Sequence, residues 1–482
     1  MKIMVLNPSS VKVENVIRDA LYGCWCKGKR IGGAKTPPYP LLLLTTLLRQ
    51  EGHDVTMLDA PAQHLTVLDL TKMMAGFQAV VVNSSVMTFC EDAEVLKMLK
   101  TGADSLKTVL MGAAPTFMPE LCLKHEGIDI IVRREPEFVL RDLFNRLDFG
   151  DGRWREVLGI GYKNNGSFIV NDFYPFIENL DQLPFVDWSL LPKNADYFNP
   201  VIKRYPYVTD LTTRGCPGRC TFCMSPPFSG YKVRGRSAQN VLEGFRKFVR
   251  EGYKEVYLRD EMFTALKARN SQILSTMIKE KMDLTWVCSA KIGTLTRNDM
   301  RLMRDAGCHY IKFGVESGDQ GILDNIKKGI TVDQIKQTFK WAHESGIETH
   351  AHIMIGNPGE SKGTIERTIA FLKEINPTTA TFGILTPYPG TPLFEKVAEK
   401  YPQIKKEFSI DLASLHSDSF FTDTLCELSA EELAYYEKAL HRWFYWRPVY
   451  LLRWLMRIRS LSDLRRVIRA GTRILDFSVR GD

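Results

Sequence analysis

Short apolar runs alternate with stretches of helical periodicity along the first 150 residues. Continuous apolar runs of this length are typical of buried parallel strands. The sequence predicts five of them, at Lys2–Leu6, Val55–Leu58, Ala79–Asn83, Thr108–Met111 and Asp129–Val132. Pro40–Gln50 and Cys90–Leu99 have the spacing of helices between these strands. The alternation predicts a doubly wound, Rossmann-like α/β domain over residues 1–150.

Ligands in such domains bind beyond the carboxyl ends of the strands. These ends carry small or polar residues here, namely Asn7-Pro8, Asp59-Ala60, Asn83-Ser84-Ser85, Gly112-Ala113-Ala114 and Arg133-Arg134-Glu135. We therefore expect any ligand of the N-terminal domain to lie along this edge.

The same alternation resumes after a connector. Residues 151–204 are predicted to form a linker with a small hairpin around Asn164-Asn165-Gly166. Between about 205 and 400, six strands are predicted, at Tyr207–Thr213, Glu255–Leu258, Thr285–Cys288, Tyr310–Phe313, Thr349–Ile355 and Ala380–Leu385. Six βα units imply a partial, open (β/α)6 barrel, with functional residues at the carboxyl ends of its strands.

Composition places the chain among intracellular proteins of two or three domains. It has 482 residues, 44% of them hydrophobic, which is enough for more than one core. Its ten cysteines are scattered, unlike those of a secreted disulfide scaffold, so we expect a reducing cytoplasm. The first residues are interpreted as a buried strand rather than a signal peptide, and Leu41–Leu48 is far shorter than the ~20 residues that span a membrane.

The net charge of +8 is concentrated in the last 42 residues, which contain ten arginines and three acidic residues. Residues 401–482 are predicted to be helical, with leucines and isoleucines at helical spacing among the arginines. A basic amphipathic helix can lie on an anionic membrane, pack on its own barrel or bind nucleic acid. The chain contains no RNA-binding module, which argues against nucleic acid.

Residues 214–223 read Arg-Gly-Cys-Pro-Gly-Arg-Cys-Thr-Phe-Cys. Cys216, Cys220 and Cys223 form a C-x3-C-x2-C loop. Cysteine thiolates hold iron–sulfur clusters, and three ligands leave one iron of a [4Fe–4S] cluster open. The alternative is a zinc loop, but zinc usually has its ligands in two pairs and no second pair follows here.

This loop, with an aromatic residue before its last cysteine, resembles the signature of the radical S-adenosylmethionine (SAM) enzymes. The resemblance implies that Cys216, Cys220 and Cys223 bind a [4Fe–4S] cluster whose open iron binds SAM. It also implies that Phe222 packs beside the cluster and adenine. In that family an electron from the cluster cleaves SAM to a 5′-deoxyadenosyl radical, which abstracts a substrate hydrogen atom. A flavodoxin- or ferredoxin-type electron donor is implied as well.

Motifs at the predicted strand ends extend the resemblance to SAM binding. They are an acidic segment after strand two, a G-V-E-S-G segment after strand four and a G-N-P-G-E turn after strand five. The residues implied to bind SAM, besides Phe222, are Asp260, Glu261, Lys291, Glu316, Ser317, Ile355 and Gly356. A carboxylate suits two ribose hydroxyls because it accepts two hydrogen bonds. For Glu316 the alternative is a salt bridge at the mouth of the barrel.

The order of the domains resembles the branch of this family that carries a cobalamin-binding domain. Residues implied to contact cobalamin are Asn83, Ser84, Gly112, Ala113 and Glu135. The chain departs from the pattern in lacking an Asp-x-His-x-x-Gly motif and in having Arg134 where glycine is common. The alternative is a domain of this fold that has lost the cofactor.

Two further features are weaker signals. Cys24-Trp25-Cys26 lies in a glycine-rich loop, and C-x-C alone indicates a mobile loop with free thiols more than a metal site. His350 and His352 lie two residues apart on predicted strand five, so both face one side. They are candidates for substrate contacts inside the barrel, or for core histidines.

The resemblance covers nearly the whole chain, and residues 205–395 look most like members associated with hopanoid biosynthesis. It implies hydrogen abstraction from an unactivated C–H bond of a lipid- or tetrapyrrole-like substrate, followed by cobalamin-dependent methylation. The alternatives are cyclisation or rearrangement, a tRNA methylthiotransferase, and a non-catalytic iron–sulfur or cobalamin carrier. The N-terminal cysteines lack the second cluster motif that a methylthiotransferase needs. We expect a cytoplasmic enzyme with peripheral contact to the inner face of the membrane.

Overall fold

The computed structural model describes residues 1–10, 18, 34–103, 105–150, 152–402, 404, 422–456, 458 and 460–480. Two largely parallel sheets organise the chain, one in each half. They confirm the α/β class and the order of a doubly wound domain followed by an open barrel.

The first sheet contains strands β1 (Lys2–Asn7), β2 (Asp54–Asp59), β3 (Ala79–Ser84), β4 (Lys107–Gly112), β5 (Ile130–Val132), β6 (Ile160–Asn164) and β7 (Ser167–Val170). Their spatial order is β2-β1-β3-β4-β5-β6-β7. Strands β1 to β5 are parallel and confirm the five predicted strands. The helices of this half are Tyr39–Gln50, Ala60–Gln63, Val67–Met73, Phe89–Lys100, Ala113–Phe117, Pro119–Lys124 and Pro136–Phe149.

Alternate residues of β1 enter different cores, as a doubly wound sheet requires. Ile3 and Val5 pack with the helices Tyr39–Gln50 and Pro136–Phe149, whereas Met4 and Leu6 pack on the opposite face. The predicted hairpin is present as β6 and β7: β6 pairs antiparallel with β5, and β7 pairs antiparallel with β6. The sheet therefore continues to Val170, beyond the predicted boundary at residue 150, because the hairpin satisfies the free edge of β5.

The second sheet contains β8 (Tyr207–Asp210), β11 (Glu255–Leu258), β12 (Thr285–Ala290), β13 (Cys308–Glu316), β14 (Glu348–Ile355) and β15 (Thr379–Ile384). All six strands are parallel, and neighbours in space follow the chain order. This confirms the partial barrel. The predicted first strand is shorter than expected, because the chain turns after Asp210 into a small antiparallel ribbon of β9 (Thr213–Arg214) and β10 (Arg234–Gly235).

Helices connect and cover the barrel strands. They are Ser225–Ser229, Ala238–Arg250, Lys267–Lys279, Arg297–Asp305, Gln320–Asn325, Val332–Glu344, Lys362–Ile375 and Pro392–Lys400. The C-terminal region adds Thr422–Leu425, Ala430–Tyr445, Pro448–Leu455 and Leu461–Arg480. The helix Ala430–Tyr445 begins with a capping box between Ser429 and Glu432. In the described part of the chain, no helix has both the length and the apolarity to cross a bilayer.

The helix Ala430–Tyr445, here called the closing helix, covers the edge strand β15. The Tyr445 hydroxyl donates to the Ala380 carbonyl at 2.6 Å and accepts from the Ala380 N–H at 3.3 Å. His441 Nε2 accepts from the Phe382 N–H at 3.4 Å. These side chains satisfy backbone groups that an edge strand would otherwise leave unpaired.

Replacing Tyr445 by phenylalanine should therefore destabilise the barrel edge. We expect Tyr445→Phe to lower the free energy of unfolding by about 1–3 kcal/mol, because it leaves buried backbone groups of Ala380 without partners. Denaturant unfolding and hydrogen exchange at Ala380 measure this. Tyr435→Phe is the control, since the Tyr435 side chain is 63% exposed. Equal exchange protection in the two variants would contradict the role given to Tyr445.

Candidate functional site

The three cysteines of the C-x3-C-x2-C motif lie on one curled loop after β9, at the carboxyl end of the barrel. The Gly218 N–H donates to Cys216 Sγ at 3.4 Å. A methyl group at Gly218 would lie 3.3 Å from Cys216 Sγ and 3.9 Å from Cys220 Sγ. The loop thus gathers thiols around a residue that has no side chain of its own.

Neighbouring segments hold this loop in place. The Cys216 N–H donates to the Gly230 carbonyl at 3.1 Å, and the Thr221 N–H donates to the Ile326 carbonyl at 3.0 Å. Gly215 has φ +88°, and a Cβ there would lie 2.2 Å from the Lys232 carbonyl oxygen. Only glycine allows this backbone approach.

The cysteines have the chemistry that a cluster requires. Burial raises the pKa of the Cys216 and Cys223 thiols, so they are neutral until a cation binds. A coordinating thiol is deprotonated outright by its metal. The three cysteines on this one glycine-rich loop fit an iron–sulfur cluster held by three cysteine thiolates.

The acidic pair after β11 divides into two roles. Asp260 is fully buried, and its carboxylate accepts hydrogen bonds from the Thr212 N–H and hydroxyl, both at 2.6 Å, and from the Thr213 hydroxyl at 2.9 Å. It braces the turn between β8 and β9, so a SAM contact at this residue would come from its backbone. Burial raises the pKa of Glu261 to about 7.

Glu261 is the side chain of this pair that remains available. Its Oε2 atom is buried and has no hydrogen-bond partner among the described residues. Its charge acts on the pKa of both Cys216 and Cys223, which places it beside the cysteine loop. An unpartnered carboxylate oxygen at this point would suit an N–H donor such as the amino group of SAM.

Glu316 ends β13 and forms the salt bridge that was its alternative interpretation. Lys328 Nζ donates to Glu316 Oε1 at 2.5 Å, and the same ammonium lies 5.9 Å from the centroid of the Phe222 ring. Burial acts to lower the pKa of Lys328, but the charge and hydrogen bond of Glu316, together with the charges of Cys220 and Cys223, outweigh it and the pKa is raised. Glu316 has φ +66°, and a Cβ at Gly314 would collide with the pair, at 2.5 and 2.7 Å. The pair therefore stands between β13 and Phe222.

The other residues predicted to bind SAM lie at the same end of the barrel. Ser317 is buried, and its hydroxyl lies 3.1 Å from the Thr368 hydroxyl. Ile355 is buried in the core, and a methyl at Gly356 would lie 3.0 Å from Leu433 of the closing helix. Lys291 is half-buried, and its charge acts to lower the pKa of Cys216.

His350 and His352 both lie inside the barrel, but their surroundings differ. Their rings meet edge to face, with centroids 4.3 Å apart. His350 uses both ring nitrogens, Nδ1 with the Thr379 hydroxyl at 2.6 Å and Nε2 with the Thr381 hydroxyl at 3.1 Å. His352 Nδ1 lies 2.8 Å from the Thr381 hydroxyl, and its Nε2 has no hydrogen-bond partner among the described residues. Burial, aided by the Lys312 charge, lowers the pKa of His352 to about 3.

Residues predicted to contact cobalamin line the ends of β3 and β4. Gly112 has φ +109°, and a methyl there would lie 2.4 Å from Asn83 Oδ1 and 2.5 Å from the Ser84 carbonyl oxygen. The two strand ends thus touch and present backbone groups and small side chains. The Asn83 amide donates to the Arg18 carbonyl at 2.8 Å. Such an edge fits a corrinoid, whose rim carries amide groups.

This edge faces the cysteine loop across the domain boundary. Ala113, together with Val86 and Met87, belongs to one apolar cluster with Met224 and Tyr388 of the barrel half. Met224 directly follows Cys223. The carboxyl ends of both sheets therefore meet at the cysteine loop.

Buried ion pairs fix the two halves to each other. Glu137 accepts two hydrogen bonds from Arg214, at 2.6 and 3.1 Å, and Glu135 accepts two from Arg234, at 2.7 and 3.0 Å. Arg214 also lies 3.3 Å from Glu135. We call these four residues the interdomain clamp. Because the Glu135 carboxylate is engaged here, a cobalamin contact at this residue would come from its backbone.

A cleft lies at the carboxyl ends of β1, β2 and β3. Asn7, Asp59 and Asn83 line it from the first sheet, and Tyr197 and Arg259 line it from the connector and the barrel. Burial raises the pKa of Asp59, which accepts from the Asn7 amide at 2.8 Å and the Tyr197 hydroxyl at 2.9 Å. This is the point where the strand order reverses and where doubly wound sheets bind ligands.

The sequence did not indicate Lys328 or the partners in the clamp. In the sequence these are ordinary charged residues, and nothing marks which residue each one pairs with. The partners are separated by 12 residues in the pair Glu316–Lys328 and by 77 residues in the pair Glu137–Arg214. Cys24 and Cys26 lie outside the described residues.

Two sequence profiles match these two halves. That of the B12-binding domain matches residues 32–144, and that of the radical SAM superfamily matches residues 211–372. An uncharacterized methyltransferase from Pyrococcus horikoshii is 34% identical over 371 residues, which cover 76% of this chain and 80% of that protein.

Two further relatives extend the comparison. The anaerobic magnesium-protoporphyrin IX monomethyl ester cyclase from Rubrivivax gelatinosus is 27% identical, over 77% of this chain and 68% of that protein. The solved structure of OxsB, a cobalamin-dependent radical SAM enzyme with aqua-cobalamin and SAM bound, superimposes with a TM-score of 0.71. It covers 100% of this chain and 73% of that chain at 15% identity, a likeness of fold. The chain therefore belongs to the radical SAM enzymes that carry a B12-binding domain, the branch that uses a [4Fe–4S] cluster, SAM and cobalamin.

Proposed function

We propose that the protein catalyses cobalamin-dependent C-methylation at an unactivated carbon of a hydrophobic substrate. The observation that carries this proposal is the meeting of the two sheet edges. Ala113, at the predicted cobalamin edge, shares an apolar cluster with Met224, the residue after Cys223. A methyl carrier held by one half thus stands beside the radical source held by the other.

When bound, the cluster and SAM supply a radical that removes a hydrogen atom from the substrate, and cobalamin supplies the methyl group. The chain binds and orients these groups and excludes water from them. Cys216, Cys220 and Cys223 would hold the cluster, and Glu261 Oε2 would accept a hydrogen bond from the SAM amino group. The Lys328 ammonium of the Glu316–Lys328 pair lies 5.9 Å from the Phe222 ring centroid, beside this site.

A reconstitution experiment tests this proposal. The protein is purified without oxygen, loaded with iron, sulfide and hydroxocobalamin, and desalted before iron and cobalt are quantified. We expect about four irons per chain and stoichiometric cobalt. Incubation with reductant, SAM carrying a deuterated methyl group and a lipid extract should then yield a deuterated lipid. A protein that binds iron but retains no cobalt after desalting would refute the methylation proposal.

Ring formation is the second candidate reaction, supported by the similarity to the protoporphyrin ester cyclase. The same assay separates the two reactions. Release of 5′-deoxyadenosine with no deuterium in any product indicates cyclisation or rearrangement. We propose a flavodoxin- or ferredoxin-type protein as the electron donor in the cell.

We also propose that the C-terminal helices contact an anionic membrane surface. The helix Leu461–Arg480 packs on the connector through arginines: Arg466 donates to the Ile202 carbonyl at 3.3 Å, and Arg469 pairs with Asp196. Ile474 packs against the core, whereas Leu461, Leu464, Ile468 and Leu475 of the same helix are exposed. The exposed apolar residues of this region are Trp446, Val449, Leu451, Leu452, Met456, Leu461, Leu464, Ile468 and Leu475. A large exposed apolar patch marks an interaction surface, and its arginines suit anionic lipid.

Sedimentation with lipid vesicles tests the membrane contact. We expect binding to vesicles of phosphatidylcholine with phosphatidylglycerol, weaker binding at high salt, and little binding to phosphatidylcholine alone. The triple variant V449S/L452S/L461S should lose binding, whereas L68S, altered at an exposed leucine of the first half, should retain it. Equal binding by all three proteins would refute the proposal.

A further inference from the structure

A continuous chain of hydrogen bonds crosses the inside of the barrel. It starts at Tyr310 on β13, whose hydroxyl bonds to the Thr379 hydroxyl on β15. Thr379 lies 2.6 Å from His350 Nδ1, and His350 Nε2 lies 3.1 Å from the Thr381 hydroxyl. Thr381 lies 2.8 Å from His352 Nδ1, where the chain ends.

The buried end of this chain sets the direction of every bond in it. A hydroxyl and a neutral imidazole each have one proton to donate. Tyr310 is 2% exposed, and Thr379 is the only hydrogen-bond partner of its hydroxyl among the described residues. If Thr379 donated to Tyr310, the phenol proton would be buried without an acceptor, at the full desolvation penalty of that group. Tyr310 is therefore the donor.

The remaining bonds follow in order. Thr379 has accepted from Tyr310, and His350 Nδ1 is the one acceptor for its own proton among the described residues, so Thr379 donates to His350 Nδ1. The proton of His350 is then on Nε2 and is donated to Thr381. Thr381 donates to His352 Nδ1, so the proton of His352 is on Nε2.

His352 Nε2 faces the interior at the level of Gly314. The two residues are register partners on β14 and β13, and Gly314 contributes no side chain. Lys312 and Lys328 are the charged groups close enough to act on His352. Glu316, the end of β13, lies two residues beyond Gly314 toward the cysteine loop.

We infer that His352 Nε2–H is a fixed hydrogen-bond donor to the substrate. The substrate must then carry an acceptor oxygen, such as a carbonyl or carboxylate. This oxygen would lie at the level of Gly314, two residues along β13 from Glu316. Lys328 is paired with Glu316, so the Lys312 ammonium is the neighbouring charge that favours an anionic oxygen over a neutral one. This inference rests on the proposed function, because it requires a substrate inside the barrel. It narrows a hydrophobic substrate to an amphiphile with an oxygen acceptor.

Histidine tautomers in the resting protein test the inference. Protein labelled with ¹⁵N-histidine is examined by long-range ¹H–¹⁵N correlation, with assignments from His352→Gln and His441→Gln. His441 is the internal reference of the opposite tautomer, because its Nδ1 bonds to the Glu437 carbonyl and its Nε2 accepts from the Phe382 N–H. We expect the Nε2–H tautomer for His352. The Nδ1–H tautomer, or a protonated ring at neutral pH, would overturn the inference.

Two variants test the origin of the polarity. Tyr310→Phe removes the donor that sets the direction, and we expect a mixture of His352 tautomers in it. Thr381→Val removes the hydroxyl that links the two histidines, and we expect the same mixture of His352 tautomers in it. This variant replaces Tyr310→Phe as the test if Tyr310→Phe does not fold. If the ¹⁵N resonances of His352 are unchanged in the folded variants, the chain of hydrogen bonds does not set its tautomer.

Matched amphiphiles test the recognition. Octanoate should shift the His352 Nε2 resonance, and octylamine of the same length should not. Equal effects, or none, would refute the donor role. These spectra need no turnover, so this inference and the proposed function can fail separately. An active methylase in which His352 has the Nδ1–H tautomer refutes only this inference. A protein that has the expected tautomer but retains no cobalt refutes only the methylation.

Discussion

Replacing Cys220 by alanine is expected to abolish SAM cleavage. Two thiolates cannot hold the cluster as three do, and the electron that cleaves SAM comes from the cluster. Iron content after anaerobic reconstitution should fall, and 5′-deoxyadenosine should stay at background. Iron analysis, the visible absorbance of the cluster and chromatography of the nucleoside measure this.

Cys90→Ala is the matched control for the cluster. Cys90 is an exposed thiol in the N-terminal half, outside the motif. This variant should retain both iron and SAM cleavage. If Cys90→Ala and Cys220→Ala lost iron equally, the loss would reflect general thiol damage, and the assignment of the cluster to the loop would be wrong.

Loss of charge at Glu137 is expected to give the largest stability effect in the protein. Glu137 and Arg214 are 2% and 9% exposed and share two hydrogen bonds. Without the Glu137 charge, the buried Arg214 and Arg234 share the single carboxylate of Glu135, and breaking a buried pair in this way costs about 3–5 kcal/mol. Glu137→Gln should therefore lower the free energy of unfolding by about this amount, as measured by anaerobic denaturation in guanidinium chloride.

Two comparisons separate charge from packing. The double variant E137M/R214M should recover most of the stability, because apolar residues of similar volume replace a buried pair at little cost. Glu178→Gln removes one partner of the exposed Lys232–Glu178 pair and should leave the unfolding midpoint unchanged. A double variant as unstable as Glu137→Gln would show that the charges themselves are required.

The sequence predicted most of the fold because local patterns encode it. Each buried parallel strand is a continuous apolar run, and the cysteine loop is contiguous, so both are visible without tertiary information. The hairpin at Asn164-Asn165-Gly166 was visible too. Its membership of the N-terminal sheet was not, because pairing with β5 depends on which edge is free.

The candidate site was predictable residue by residue but not in its contacts. Glu316 was recognised, yet its partner Lys328 depends on how the helix Gln320–Asn325 returns the chain to the barrel mouth. His350 and His352 look equivalent on one strand. They differ because Thr379 and Thr381 of the next strand satisfy both nitrogens of one ring and a single nitrogen of the other.

The interdomain clamp also constrains motion. Arg214 precedes Cys216 by two residues, and its guanidinium is bound to Glu137 at the start of the helix Pro136–Phe149. Any hinge rotation of the N-terminal half that keeps these bonds must carry the cysteine loop along with it. Bending of the connector that leaves the clamp intact therefore does not change the distance between the two cofactor sites. The edge of the first sheet and the cysteine loop move together as one rigid body.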